Sequence, residues 1–182
     1  MRFVSGLLQI ILFVVIIFAS LLAAGIIANR LPLSDPPGFM TRLLTYLNTN
    51  VAETAADSPF PELRPQRYDA PPELLFDVAR RAVQNLNWEI VSMDNDKKEI
   101  KAVVTTKMWK FKDDVFISVV SAQPNGSQLM IRSTSRIGKG DLGANTRHVM
   151  DLMEMVNALI PRQALIAPQS AEETTNRGTT EQ

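Results

Sequence analysis

Ile100-Lys101-Ala102-Val103-Val104-Thr105 decides the fold. Ile100, Ala102 and Val104 alternate with Lys101, Val103 and Thr105, the period of a strand with one buried face. Working outward, Val115, Ile117 and Val119 repeat the pattern, and so do Leu129 and Ile131 against Met130 and Arg132. Trp88–Met93 is rich in β-formers, and Asp94-Asn95-Asp96-Lys97-Lys98 supplies a turn. Pro124-Asn125-Gly126-Ser127 reads as a hairpin loop. Short turns between four such strands predict an antiparallel meander.

Two amphipathic helices flank it. Leu75, Val78, Ala79, Ala82, Val83 and Leu86 form one apolar stripe, behind Pro71 and Pro72 in a first turn that tolerates proline. Val149, Leu152, Met153, Val156 and Ile160 form the second stripe, closed by Pro161. Leu63–Tyr68 adds a candidate edge strand, because Pro65 cannot serve a central ladder. The expected fold is α+β: an antiparallel sheet of four to five strands, two helices packed on one face, and an N-terminal transmembrane helix.

That last helix comes from Phe3–Ala28, a run without a charged residue. As a helix it would be about 39 Å long, more than the roughly 30 Å of a hydrocarbon core. A cleaved signal peptide has an apolar region of only about 7–15 residues, so an anchor is the expectation, although Ala19, Ala23 and Ala24 would permit cleavage. The short N-terminal tail favours a single-pass membrane protein with its domain on the non-cytoplasmic side, as in a bacterial inner membrane facing the periplasm. Arg2 and Arg30 leave the positive-inside rule close to a tie.

The expected organisation is an anchor at 1–30, a juxtamembrane segment and linker at 31–62, the α+β domain at 63–161 and a disordered tail at 162–182. Within the second segment, Phe39, Leu43, Tyr46 and Leu47 have helical spacing. Such a helix would lie in lipid headgroups or pack on the domain. Residues 49–62, rich in Ala, Thr, Asp and Pro, read as the linker.

Composition narrows the chemistry. Lys plus Arg equals Asp plus Glu at 19 each, which argues against a nucleic-acid partner. There is no cysteine, so disulfides, thiolate nucleophiles and Cys-ligated zinc are excluded. The one histidine, His148, would have to serve any Ser-His-Asp triad, and a His-based metal site would need carboxylates beside it. His148 reads as a helix-surface or satisfied residue. No cofactor and no metal are expected.

Two polar segments remain. Gly138, Gly140 and Gly143 match G-x-G-x-x-G between a strand and a helix. The dinucleotide fingerprint also needs a following parallel strand, which this chain lacks. The glycine-rich turn with Arg132, Arg136, Lys139 and Arg147 could take an anion. The structural reading is that Asp141 or Asn145 caps the helix and the arginines pair with Asp113 and Asp114. Ser133 and Ser135 share a strand face with Leu129 and Ile131. Arg132, Thr134 and Arg136 take the other, with the two arginines about 13 Å apart. In Trp109-Lys110-Phe111-Lys112-Asp113-Asp114 the carboxylates could bind a cation or do acid–base work, yet strand neighbours point to opposite faces.

Phe111-Lys112-Asp113-Asp114-Val115, Arg132-Ser133-Thr134-Ser135-Arg136-Ile137-Gly138 and Gly140-Asp141-Leu142-Gly143-Ala144-Asn145 together resemble the DUF1499 family over about residues 57–160. Ser58-Pro59-Phe60-Pro61-Glu62-Leu63 resembles the entry segment of one branch. Other members carry cysteines there, so no role tied to them transfers. The resemblance implies a small domain that is often membrane-anchored or exported, with no agreed activity. It also implies that Asp113, Asp114, Arg132, Ser133, Ser135, Arg136, Gly138, Asp141, Gly143 and Asn145 form one site. The expected function is a membrane-tethered binding or interaction module that is not an enzyme. It would touch the bilayer through residues 3–28 and an anionic ligand or protein partner at 132–145. The alternative is a membrane-anchored hydrolase or transferase using Asp113, Asp114 or Asp141 with arginine support.

Overall fold

A computed structural model describes residues 2–106, 110–123 and 126–165. Trp109, the Pro124-Asn125 part of the hairpin loop and residues 166–182 of the tail expected at 162–182 lie outside the described residues, whereas Arg162–Ala164 form a 3-10 turn with Ala164 buried, so the folded body runs past residue 161. The elements are α1 (Arg2–Ala28), α2 (Phe39–Asn48), β1 (Val51–Glu53), β2 (Arg67–Tyr68), α3 (Pro72–Asn85), β3 (Glu89–Asp94), β4 (Glu99–Thr105), β5 (Lys112–Ala122), β6 (Gly126–Ser135) and α4 (Ala144–Leu159).

β3 to β6 form the expected antiparallel meander, and the sheet order is β1-β6-β5-β4-β3. β2 joins as an edge strand on β6, at Gln128 and Ser127. The sixth strand, β1, pairs with β6 at Arg132–Thr134. It corrects the linker reading of 49–62. Ala52, Thr54, Ser58 and Phe60 are buried there, so the folded body begins well before residue 63. Ala52 and Glu53 carry weak strand signals, and three residues are too few to show a period. A ready edge on β6 supplied the hydrogen bonds that propensity did not.

α3 and α4 cover one face. Leu75, Val78, Ala79 and Val83 from α3, and Val149, Leu152 and Val156 from α4, meet Ile100, Ile117, Leu129 and Ile131 at zero or near-zero exposure. α3 stops where Asn87 turns left-handed (φ 56°) and the Trp88 amide donates to the Val83 carbonyl at 3.1 Å, a Schellman closure. Among the described residues the opposite sheet face carries no helix.

α1 is long and apolar enough, over Gly6–Ala28, to cross a membrane, and it is almost entirely uncovered by the rest of the chain. Its end is not free. Ile26 and Leu31 are buried, and the Asn29 side-chain amide donates to the Leu142 carbonyl at 2.9 Å.

Candidate functional site

Pairing of β5 with β6 sets Asp113 opposite Ser135, Asp114 opposite Thr134 and Val115 opposite Ser133. Strand alternation then divides the ten expected site residues between two faces. Asp113, Ser133 and Asn145 are buried beneath α4, with Ser135 partly so. Asp114, Arg132 and Arg136 are exposed on the uncovered face. Gly138, Asp141 and Gly143 belong to the loop leading into α4.

On the covered side the polar groups form a network. Ser133 Oγ donates to Asn145 Oδ1 at 2.6 Å, and Asn145 Nδ2 donates to the Asn50 carbonyl at 2.8 Å and to Ser135 Oγ at 2.9 Å. His148 Nδ1 lies 3.3 Å from Ser133 Oγ and 3.7 Å from Asp113 Oδ2, with the Trp88 ring edge-on to the imidazole at 5.8 Å. His148 is therefore buried with a polar neighbour, the second of the two expected readings and not the helix-surface one. Position i+4 from Ala144 faces the sheet on α4, and no sequence-local partner announced it. Asp113 is only 1 % exposed, and neither of its carboxylate oxygens has a hydrogen-bond partner among the described residues. Burial pushes the His148 pKa below its ordinary value, against the opposing pull of Asp113, Asp151 and Asp141.

The arrangement differs from a nucleophilic triad in two ways. Ser133 and Asp113 both approach Nδ1 of His148, whereas a relay needs the hydroxyl on one ring nitrogen and the carboxylate on the other. The Ser133 proton is also directed to an amide oxygen and not to the imidazole.

The loop below is built for close approach. Asp141 Oδ1 accepts from the Gly143 amide at 2.8 Å and Oδ2 from the Asn145 amide at 2.9 Å, which satisfies the first turn of α4. Burial raises the Asp141 pKa, and those same amides oppose the rise. Gly143 has φ 83°, and a side chain there would run into Leu31, while one at Gly140 would meet the Leu47 carbonyl. These glycines seat α2 and the end of α1 against the loop.

On the uncovered face a groove of about 250 Å³ is lined by Lys101, Asp114, Phe116, Arg132, Thr134 and Arg136, among others. Arg136 donates to both Asp114 oxygens, at 3.0 and 2.6 Å, and Arg132 donates to Glu53 at 3.1 Å. The Arg136 guanidinium holds the Asp114 carboxyl below the usual range. The two arginines thus have separate carboxylates and do not converge on one point. Among the described residues no group of three His, Cys, Asp or Glu side chains could hold a metal ion.

Over residues 32–156 the chain matches the family described as "Protein of unknown function (DUF1499)", and it belongs to that family. The match begins ahead of α2, so α2 and β1 are part of the family's domain. No curated protein matches the chain. Sequence reading missed Asn50, Trp88 and His148 as members of the buried network. Only the i+3 spacing of Asn145 and His148 on one helix face could have linked two of them.

Proposed function

We propose that this chain is a membrane-tethered binding module, not an enzyme, with α1 in the bilayer and its domain on the non-cytoplasmic side. Its contact surface is the uncovered sheet face with the adjoining 132–145 loop, and its partner is an anionic ligand or a protein with an acidic patch. The observation that carries this is the open groove bearing Arg132 and Arg136, whose only partners among the described residues are exposed carboxylates that a stronger acceptor can replace. Exposed pairs of this kind hold their partners weakly. Asp114, Arg132 and Arg136 are engaged in surface pairs and Asp141 in a helix cap, which supports contact over catalysis.

The test is recovery of partners from detergent extracts on the full chain and on the Arg132→Ala/Arg136→Ala variant. The expected outcome is loss of recovery with the chain still folded and its unfolding midpoint lowered only slightly. Equal recovery by a folded variant sinks the open face as the contact surface.

The hydrolase alternative draws on one observation, the buried and unpartnered Asp113 beside His148 and Ser133. The Nδ1 geometry and the burial of all three weigh against it.

A further inference from the structure

α2 has two faces of different character. Inward, Arg42 is fully buried, donating to the Asp35 carbonyl at 3.0 Å, to Tyr46 Oη at 3.1 Å and to the Pro36 carbonyl, and it forms an ion pair with Glu62. Its guanidinium also stands 5.1 Å from the centre of the Phe60 ring. This side of α2 is bolted to the domain. Outward, Phe39 is 52 %, Met40 64 % and Leu44 57 % exposed. At about 100° per residue these three share one arc with the half-buried Leu43 and Leu47, and Thr41 and Asn48 lie on the next arc round. The helix contains no acidic residue.

Leu142 fixes where the end of α2 stands. Its carbonyl accepts from the side chain of Asn29, the first residue after α1, and its amide donates to the Tyr46 carbonyl of α2 at 3.0 Å. One residue therefore connects the exit of α1 to the last turns of α2, so α2 cannot swing away from that exit. The headgroup layer is about 5–8 Å thick on each side of the hydrocarbon, and a helix held at that level meets lipid before it meets water. Arg30 and Lys139 are exposed beside the same joint, where basic side chains suit headgroup phosphates.

We propose that α2 lies in the interface of the bilayer that α1 crosses, with Phe39, Met40 and Leu44 inserted among the lipids. The inference rests on the tethered reading above and gives that module a second membrane contact, which sets the tilt of the domain. The occupant is lipid because the apolar arc adjoins a segment already suited to it, α1.

The absence of cysteine makes the test clean. Spin labels are placed singly on the full chain through Phe39→Cys, Met40→Cys, Leu44→Cys, Thr41→Cys, Asn48→Cys and, within α1, Val14→Cys. The chains are reconstituted in phosphatidylcholine–phosphatidylglycerol vesicles, and collisions with oxygen are compared with those of a water-soluble nickel chelate. Oxygen should dominate at 14, 39, 40 and 44, and nickel at 41 and 48. Nickel dominating at 39, 40 or 44 while 14 stays in lipid overturns the docking of α2 and spares the tether. Protection from both reagents at 40 and 44 means protein covers the face and overturns it too. Nickel dominating at 14 overturns tether and docking together.

Discussion

Asp113 and Asp114 are neighbours on β5, and their circumstances differ completely. Asp113 points under α4, where it is 1 % exposed and has no hydrogen-bond partner among the described residues. Asp114 points to the uncovered face, exposed and gripped by both ends of the Arg136 fork. The same division runs along β6, where Ser133 joins a buried network and Arg132 reaches an exposed Glu53. A strand cut from one motif thus serves two environments, and polar residues on its two faces hold different energetic stakes. A buried polar group must be satisfied or it costs free energy, whereas an exposed pair has water as a ready substitute.

The sharpest way to break this comparison is Asn145→Ala. Asn145 accepts from Ser133 and donates to Asn50 and Ser135, so its loss strands several buried groups. The expected cost is about 2–3 kcal/mol in a urea titration of the detergent-solubilised chain. A cost near zero would show that water reaches the network. Next comes the paired exchange of the two carboxylates. Asp113→Asn should raise stability by about 1 kcal/mol, because a buried carboxyl group without a hydrogen-bond partner among the described residues is replaced. Asp114→Asn should lower it slightly, by the loss of the exposed Arg136 pair. Opposite signs confirm the contrast, and equal signs contradict it.

The smallest effect is on pH. The folded-state pKa of His148 is depressed by burial, so the folded protein favours the neutral ring. The unfolded chain binds the proton first, near pH 6.5. The stabilisation is complete above that pH and is lost as pH falls from 6.5 through the folded value. The slope is a fraction of the about 1.4 kcal/mol per pH unit that one proton can contribute. His148→Gln should flatten this part of the stability profile between pH 7.5 and 5.5. Asp113, Asp141 and Asp151 all act to lessen the slope, since each favours the charged ring.

Much of this molecule was legible before folding. The period of two in Ile100–Thr105 and its repeats, the 3.6 period of α3 and α4 and the apolar run of α1 are local patterns, and each became the expected element. Alternation also assigned Ser133 and Arg132 to opposite faces, which β6 obeys. β1 was not legible, because three unremarkable residues form a strand only where an edge awaits them. The buried network was legible only in part: the resemblance grouped Asp113, Ser133, Ser135 and Asn145, whereas Asn50 and Trp88 lie on separate segments and His148 had no sequence-local partner.

The amino-acid order by itself determined which residues make helix or strand and which side of each is apolar, because those choices depend on neighbours within a turn or two. Only the tertiary structure decided that Asp113 would be sealed beside His148, that Gly140 and Gly143 would seat α2 and Leu31, and that Leu142 would join the exit of α1 to α2. Those contacts span up to 113 residues of chain, and burial and charge act through space, where sequence distance has no meaning.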